Sequence, residues 1–256
     1  MSYTVRGSGP AVLLIQGVGV QGDAWLPQTD DLARDFTCVT FDNRGMGKSQ
    51  PPGAAITVEQ MARDAGAILD ATGFSEADIV GHSLGGVVAL QLAIIAPSRA
   101  RSLALLSTFS GGKTAAPPTV RMLWLGARTR IGTRQMRRRS FLRFVMPPGP
   151  IAEPDRLAER IATLFGHDLA DQPSIVGDQL RALRQSDTSA RLQELSRLPV
   201  LIMTGLHDPI GPPSAGRALA AAIPGAHYIE VSDASHGLPI SHAALTNASL
   251  RDHLRK

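Results

Sequence analysis

Ser83, Asp208 and His236 are of the residue types that together make a hydroxyl nucleophilic. A serine hydroxyl is a poor nucleophile until a base takes its proton, and an imidazole base needs a third group to fix its tautomer. Ser83 lies in Gly81-His82-Ser83-Leu84-Gly85-Gly86, a G-x-S-x-G pattern. The apolar run Ala77 to Gly81 precedes it, and an apolar segment from Leu84 to Ala96 follows. That setting predicts a strand, a tight turn and a helix, with the serine on the turn and small residues forced on either side of it. The helix start beneath the serine favours developing negative charge. By itself the hexapeptide also fits an ordinary Gly-Ser-Gly turn.

Asp208 stands in Gly205-Leu206-His207-Asp208-Pro209, after the apolar run Val200 to Thr204. His236 stands in Ser232-Asp233-Ala234-Ser235-His236-Gly237, after Ala226 to Val231. Each has a plain alternative, Asp208 as a turn residue before proline and His236 as a loop histidine. The joint order of serine, acid and histidine decides for chemistry, because each follows a strand and so reaches the same sheet edge. His82 is set aside as pointing elsewhere on the tight turn, and His207 because it precedes the last strand. Asp233 is the reserve acid. His167, His227, His242 and His253 read as surface or helix positions.

Acyl transfer also needs donors aimed at the carbonyl oxygen as it becomes an anion. The backbone N–H groups of Leu84 and of Val18, in the loop Gln16-Gly17-Val18-Gly19, are the expected pair. Gly17 lets that loop approach a ligand closely. Trp25, near the loop, and Trp124 are expected to line an acyl pocket with Gly17. Gly17, Gly19 and Gly22 also spell G-x-G-x-x-G. The acid after the next strand is already accounted for by the turn Asp42-Asn43-Arg44-Gly45, so dinucleotide binding is disfavoured.

The elements that must position these residues alternate. Ala11 to Ile15, Phe36 to Phe41, Ala77 to Gly81 and Arg101 to Leu106 are short apolar runs expected as strands, with helices over Trp25 to Leu32, Thr57 to Gly73 and Leu84 to Ala96. Thr57 and Gln60 form a capping box, Ile56 sits where a hydrophobic staple would, and Gly73 ends the helix. Such alternation predicts a mostly parallel, doubly wound sheet. It breaks near Gly111. Residues 113–197 carry helix signals only, over Thr119 to Ile131, Asp155 to Phe165, Pro173 to Gln185 and Ala190 to Leu195. Pro147-Pro148-Gly149-Pro150 separates the first of these from the rest. Strand and helix signals resume with Val200 to Thr204, Ser214 to Ala222, Ala226 to Val231 and Ser241 to Leu254. The expected organisation is an α/β core of residues 1–112 and 198–256 with a helical insertion at 113–197.

Composition bounds the function. Apolar residues at 43% and charged residues at 19% fit a soluble globular chain. The single cysteine, Cys38, excludes an intramolecular disulfide and a thiolate metal cluster. Aromatics at 4% give no stacking wall for nucleic acid, which is not an expected partner. Met1 to Arg6 has no apolar leader, and no apolar run reaches membrane-spanning length, so an integral membrane protein is not expected and the cytoplasm is. Charge is uneven: residues 113–197 hold 15 Lys/Arg against 8 Asp/Glu. Lys113 to Ala152 holds nine basic residues and no acid, densest at Arg137-Arg138-Arg139. Either a solvated helix face or attraction of an anionic substrate or lipid surface accounts for that.

These motifs resemble the α/β-hydrolase superfamily over nearly the whole chain. The resemblance runs through Arg6-Gly7-Ser8-Gly9-Pro10, Gln16-Gly17-Val18-Gly19, Phe41-Asp42-Asn43-Arg44-Gly45-Met46-Gly47-Lys48-Ser49, the turn at Ser83, Gly205-Leu206-His207-Asp208 and Ser235-His236-Gly237. Within the superfamily the chain looks like the esterase, enol-lactonase and cofactor-free haloperoxidase branch. The resemblance implies an α/β-hydrolase fold whose helical cap, at 113–197, covers a Ser83–His236–Asp208 triad. It implies cleavage of a small-molecule ester or lactone through an acyl-enzyme, with no metal or organic cofactor. A carbon–carbon bond hydrolase or a perhydrolase on the same triad is the second reading, and a receptor that binds without turnover is the third. Ser83 argues against epoxide hydrolases and haloalkane dehalogenases, which use aspartate. Two departures stand out. Gln16 occupies a place where the family commonly has histidine, and the chain starts late, so the usual first edge strand is expected to be missing.

Overall fold

The computed structural model describes residues 1–50, 53, 55–112 and 119–255. Among them seven strands form one sheet: β1 (Tyr3–Arg6), β2 (Ala11–Ile15), β3 (Thr37–Phe41), β4 (Ala77–His82), β5 (Ala100–Leu106), β6 (Val200–Gly205) and β7 (His227–Val231), in the order β1-β3-β2-β4-β5-β6-β7. All neighbours run parallel except β1 and β3. This is the mostly parallel sheet expected from the strand–helix alternation, in the α/β-hydrolase fold that the resemblance implies.

The edge of this sheet is β1, antiparallel to β3. All four of its residues are exposed, so it carries no apolar run to betray it. Backbone pairing to β3 holds it, with Tyr3 opposite Phe41 and Val5 opposite Val39. Every residue of β2 and β3 is buried, because helices cover both faces of the sheet. Leu13, Ile15, Ile79, Leu103 and Ile202 point to one face, packing with α2 (Val58–Thr72) and α3 (Leu84–Ile95). Val12, Leu14, Val80, Leu106 and Met203 point to the other, with Trp25, with Leu32 of α1 (Leu26–Leu32) and with Leu250. Each fully buried leucine or isoleucine contributes about 1.5–3 kcal/mol.

The helix signals place well, with shifts at the ends. Thr57 Oγ1 accepts the Gln60 N–H at 3.0 Å, and Gly73, at φ +79°, closes α2. The Gln60 side chain turns to Asp64 instead, so only half of the capping box forms. Between β5 and β6 lie α4 (Val120–Arg128), α5 (Arg134–Val145), α6 (Pro154–Phe165) and α7 (Val176–Gln185). Residues 113–118, where the helical stretch was expected to begin, lie outside the described residues. Helix α5 was not foreseen. Its arginine run hides the apolar face of Leu142 and Val145, and Thr133 caps it through the Met136 N–H. α8 (Pro213–Ala222), the short α9 (Leu238–Ser241) and α10 (Ala243–Leu254) complete the chain. No helix among the described residues is long and apolar enough to cross a membrane.

Candidate active site

Ser83 links β4 to α3 in a backbone conformation that a side chain rarely takes, φ 55° and ψ −120°. Such strain persists only where surroundings over-determine it. Here the Ser83 N–H donates to the Leu106 carbonyl at 3.0 Å, and Thr108 Oγ1 donates to the Ser83 carbonyl at 2.6 Å. The flanking glycines are required. A β-carbon on Gly81 would lie 2.6 Å from Gly86 Cα, and one on Gly85 would lie 2.6 Å from the Ile15 carbonyl carbon.

The carboxyl ends of β6 and β7 bring the other two residues to this turn. His236 Nε2 lies 3.0 Å from Ser83 Oγ. Its Nδ1 lies 2.9 Å from Asp208 Oδ2 and 3.0 Å from Oδ1. All three residues are buried, at 6% exposure or less. Asp208 is held in turn: Oδ1 accepts the N–H groups of Ile210 at 2.8 Å and Gly211 at 2.9 Å. An imidazole bridging a hydroxyl and a fixed carboxylate can take the hydroxyl proton and return it to a leaving group. The reserve acid Asp233 lies elsewhere, its side chain 80% exposed and 3.2 Å from His242.

His82 does not point away, as the sequence reading had it. Its ring centroid lies 4.9 Å from that of His236, and its Nε2 donates to the His236 carbonyl at 2.8 Å. Burial, reinforced by the neighbouring His236 ring, pushes its pKa down to about 3, so the ring is neutral. Adjacency to Ser83 was the only sequence signal for this.

A cavity of about 450 Å³ opens above Ser83 and His236, within the usual range for small-molecule pockets. Its lining includes Gly17 and Val18. Among the described residues no hydrogen-bond acceptor meets the N–H of Val18 or of Leu84. The walls come from α4, α5, α6 and α7, largely through apolar side chains such as Phe141, Phe144 and Leu180. Met122, Gly126 and Arg130 line it at intervals of four, as do Val176, Leu180 and Arg184. That helical spacing was a legible signal. Arg130 and Arg184 are the charged side chains of the lining, and neither has an ion pair among the described residues.

Two expected pocket residues are elsewhere. Trp25 is completely buried on the α1 side of the sheet, edge-on to His82 with ring centroids 6.5 Å apart, so it backs that histidine instead of lining the cavity. Trp124 is 54% exposed under the Arg128 guanidinium, outside the lining. The run Arg137-Arg138-Arg139 is not a free basic surface either. Arg138 Nε bonds Asp168 at 2.9 Å, Arg139 pairs with Asp155 at 2.9 Å, and nearby Arg134 pairs with Asp168 and Asp171.

Gln16 and the loop after it are held from three directions. Asn43 Nδ2 donates to the Gln16 carbonyl at 3.1 Å, and Gln16 Oε1 accepts the Gly17 N–H at 3.2 Å. Gln179 Oε1, on α7, accepts the Gly19 N–H at 2.8 Å. His167, after α6, donates from Nε2 to the Gly19 carbonyl at 2.8 Å. His167 is therefore half-buried against the loop and not a surface histidine, and no local sequence pattern singles out Gln179.

A family model described as alpha/beta hydrolase fold matches residues 10–243. A protein of Variovorax paradoxus, provisionally named carbamate hydrolase RutD, is 32% identical over 267 aligned positions, covering 100% of this chain and 96% of the relative. Its namesake in Klebsiella pneumoniae is 30% identical over 252 positions, covering 96% and 91%. Among solved structures, the enol-lactonase from Burkholderia xenovorans LB400 superposes with a TM-score of 0.83 at 25% identity, covering 100% of this chain and 96% of that one.

Proposed function

Because this chain belongs to the α/β-hydrolase fold family of enzymes, we propose that it is a serine hydrolase of small-molecule carboxylic esters or lactones. The observation that carries this reading is the unbroken line from the Asp208 carboxylate through His236 to the Ser83 hydroxyl, in a cavity walled by α4 to α7. His236 takes the Ser83 proton as Oγ attacks the substrate carbonyl. The N–H groups of Leu84 and Val18 receive the oxyanion, and the neighbouring helix start adds its positive end. His236 then protonates the leaving alcohol, and water, deprotonated by the same imidazole, cleaves the acyl-enzyme. No step calls for a metal or an organic cofactor.

In this reading the insertion acts as a cap, with α4, α5, α6 and α7 forming the walls above the nucleophile. An acyl group packs among the apolar side chains of α5, α6 and α7. Arg130 and Arg184, unpaired and unopposed by any carboxylate of the lining, favour a substrate with an anionic end. The same geometry can attack a carbamate carbonyl, and the names of the relatives make carbamates a second substrate class to assay beside esters.

Ser83→Ala is expected to lower turnover of p-nitrophenyl butyrate by at least about 10³-fold. A fluorophosphonate is expected to label the wild type at Ser83 and leave the variant unlabelled. Undiminished turnover by the variant overturns the assignment.

A further inference from the structure

We infer that Gln179 and His167, both on the cap, are positioning residues that set the Val18 N–H for the oxyanion. This rests on the reading of Val18 as an oxyanion donor. The argument follows the peptide planes of the loop. The Gln16–Gly17 plane is pinned at both ends, its carbonyl by Asn43 Nδ2 and its N–H by Gln16 Oε1. The Val18–Gly19 plane is pinned at its N–H by Gln179 Oε1, 2.8 Å away. The Gly19–Val20 plane is pinned at its carbonyl by His167 Nε2, also 2.8 Å away. Between them the Gly17–Val18 plane carries the Val18 N–H, which meets no acceptor among the described residues and belongs to a residue that lines the cavity. Its direction is therefore fixed by its bracketed neighbours.

The core holds the leading side of this bracket, and the cap holds the trailing side. Gln179 is completely buried, so its bond to Gly19 does not compete with water. Its Nε2 is buried with no partner among the described residues, so the side chain is retained at a cost in polar satisfaction. Gly19 sits at φ +71°, and a β-carbon there would come within 2.8 Å of Val176 Cγ2, so α7 closes directly on the loop. The Gln21 N–H reaches the Phe165 carbonyl at 3.4 Å, which extends the seam to the end of α6. The cap therefore does more than wall the pocket: a shift of α7 or of the segment after α6 is passed to the amide opposite Ser83. Misplacing a preorganised donor by about 1 Å costs on the order of a hundredfold in rate.

The test uses Gln179→Met, which keeps the volume and loses the acceptor, and His167→Leu, which loses the donor. Both are assayed with p-nitrophenyl butyrate and with phenylboronic acid, whose tetrahedral adduct on Ser83 fills the oxyanion site. Each variant is expected to lose about tenfold to a hundredfold in kcat with little change in KM, and to bind the boronic acid more weakly by the same factor. His167→Gln, which restores a donor, is expected to recover most of the loss. Because His167 is only half-buried, its variants serve if Gln179→Met fails to fold. Unchanged boronic acid affinity in folded variants, or a loss confined to KM, overturns the inference while leaving the hydrolase reading intact. If phenylboronic acid does not bind the wild type and Ser83→Ala keeps its activity, the hydrolase reading falls and the inference falls with it.

Discussion

The main-chain carbonyl of His236 accepts a hydrogen bond from His82 Nε2, 2.8 Å away, so the residue before Ser83 holds the residue that faces Ser83. That contact has a consequence for stability against pH. His82 has a folded pKa near 3, well below the ordinary value near 6.5. Between those values the unfolded chain binds a proton that the folded chain refuses, so this group's contribution is full above pH 6.5 and declines as pH falls. The decline is at most about 1.4 kcal/mol per pH unit. His82→Gln keeps a donor and cannot titrate. Urea unfolding at pH 6.5 and pH 5 is expected to show the wild type losing about 1.5 kcal/mol more than the variant. Equal losses would mean that His82 takes up its proton inside the fold.

Asp208→Asn keeps the shape of the side chain but lets the amide favour the wrong imidazole tautomer. The expected loss in kcat on p-nitrophenyl butyrate is about 10³–10⁴-fold. Asp233→Asn, at a side chain 80% exposed and paired with His242, is expected to change kcat less than twofold. The reverse ranking would move the acid to Asp233.

The contrast between those two aspartates marks what the sequence could say. Ser83, His236 and Asp208 were legible because each follows an apolar strand, and a parallel sheet brings such ends to one edge. The fold was legible for the same reason. β1 was not, because backbone pairing stabilises it and its four side chains are exposed. Helix α5 was not, because its arginines answer to Asp155 and Asp168, acids beyond its own end that no local pattern announces. Trp25 near the loop suggested a pocket wall, but the 3-10 turn Gly22–Trp25 directs it into the core. Gln179 and His167 lie more than 140 residues from Gly19, and nothing local to either names that partner.

Arg130 and Arg184 give the substrate preference a direct test. They are the charged side chains of a largely apolar cavity, and no carboxylate among the described residues pairs with either. Mono-p-nitrophenyl esters of straight-chain diacids are compared with their methyl-capped diesters across chain lengths. At the best length the anion is expected to exceed the neutral ester about tenfold in kcat/KM, consistent with a charge-assisted bond at a partly exposed site. The ratio is expected to shrink at 0.5 M salt and to fall near one in the Arg130→Gln/Arg184→Gln double variant. A neutral preference at every length would remove the anionic end from the substrate.

Glycine substitutions separate the turn at Ser83 from the ordinary helix that packs beside it. A β-carbon on Gly85 would overlap the Ile15 carbonyl group and lie 2.8 Å from the Gln16 carbonyl oxygen. Both obstacles are backbone, one ending β2 and the other opening the loop that carries Val18, so neither can give way without moving the site. Gly85→Ala is therefore expected to cost at least about 3 kcal/mol and to abolish fluorophosphonate labelling. Gly66 lies inside α2 without a positive φ, and a β-carbon there would meet only Leu92 Cδ1 at 3.8 Å. Gly66→Ala gains helix propensity and an ordinary contact, and is expected to stabilise the protein by about 0.5–1 kcal/mol with labelling retained. Thermal unfolding of the two variants should therefore move in opposite directions from the wild type. If Gly85→Ala were tolerated as well as Gly66→Ala, the close approach of α3 to the end of β2, on which the placement of Ser83 opposite Gly17 and Val18 depends, would be wrong.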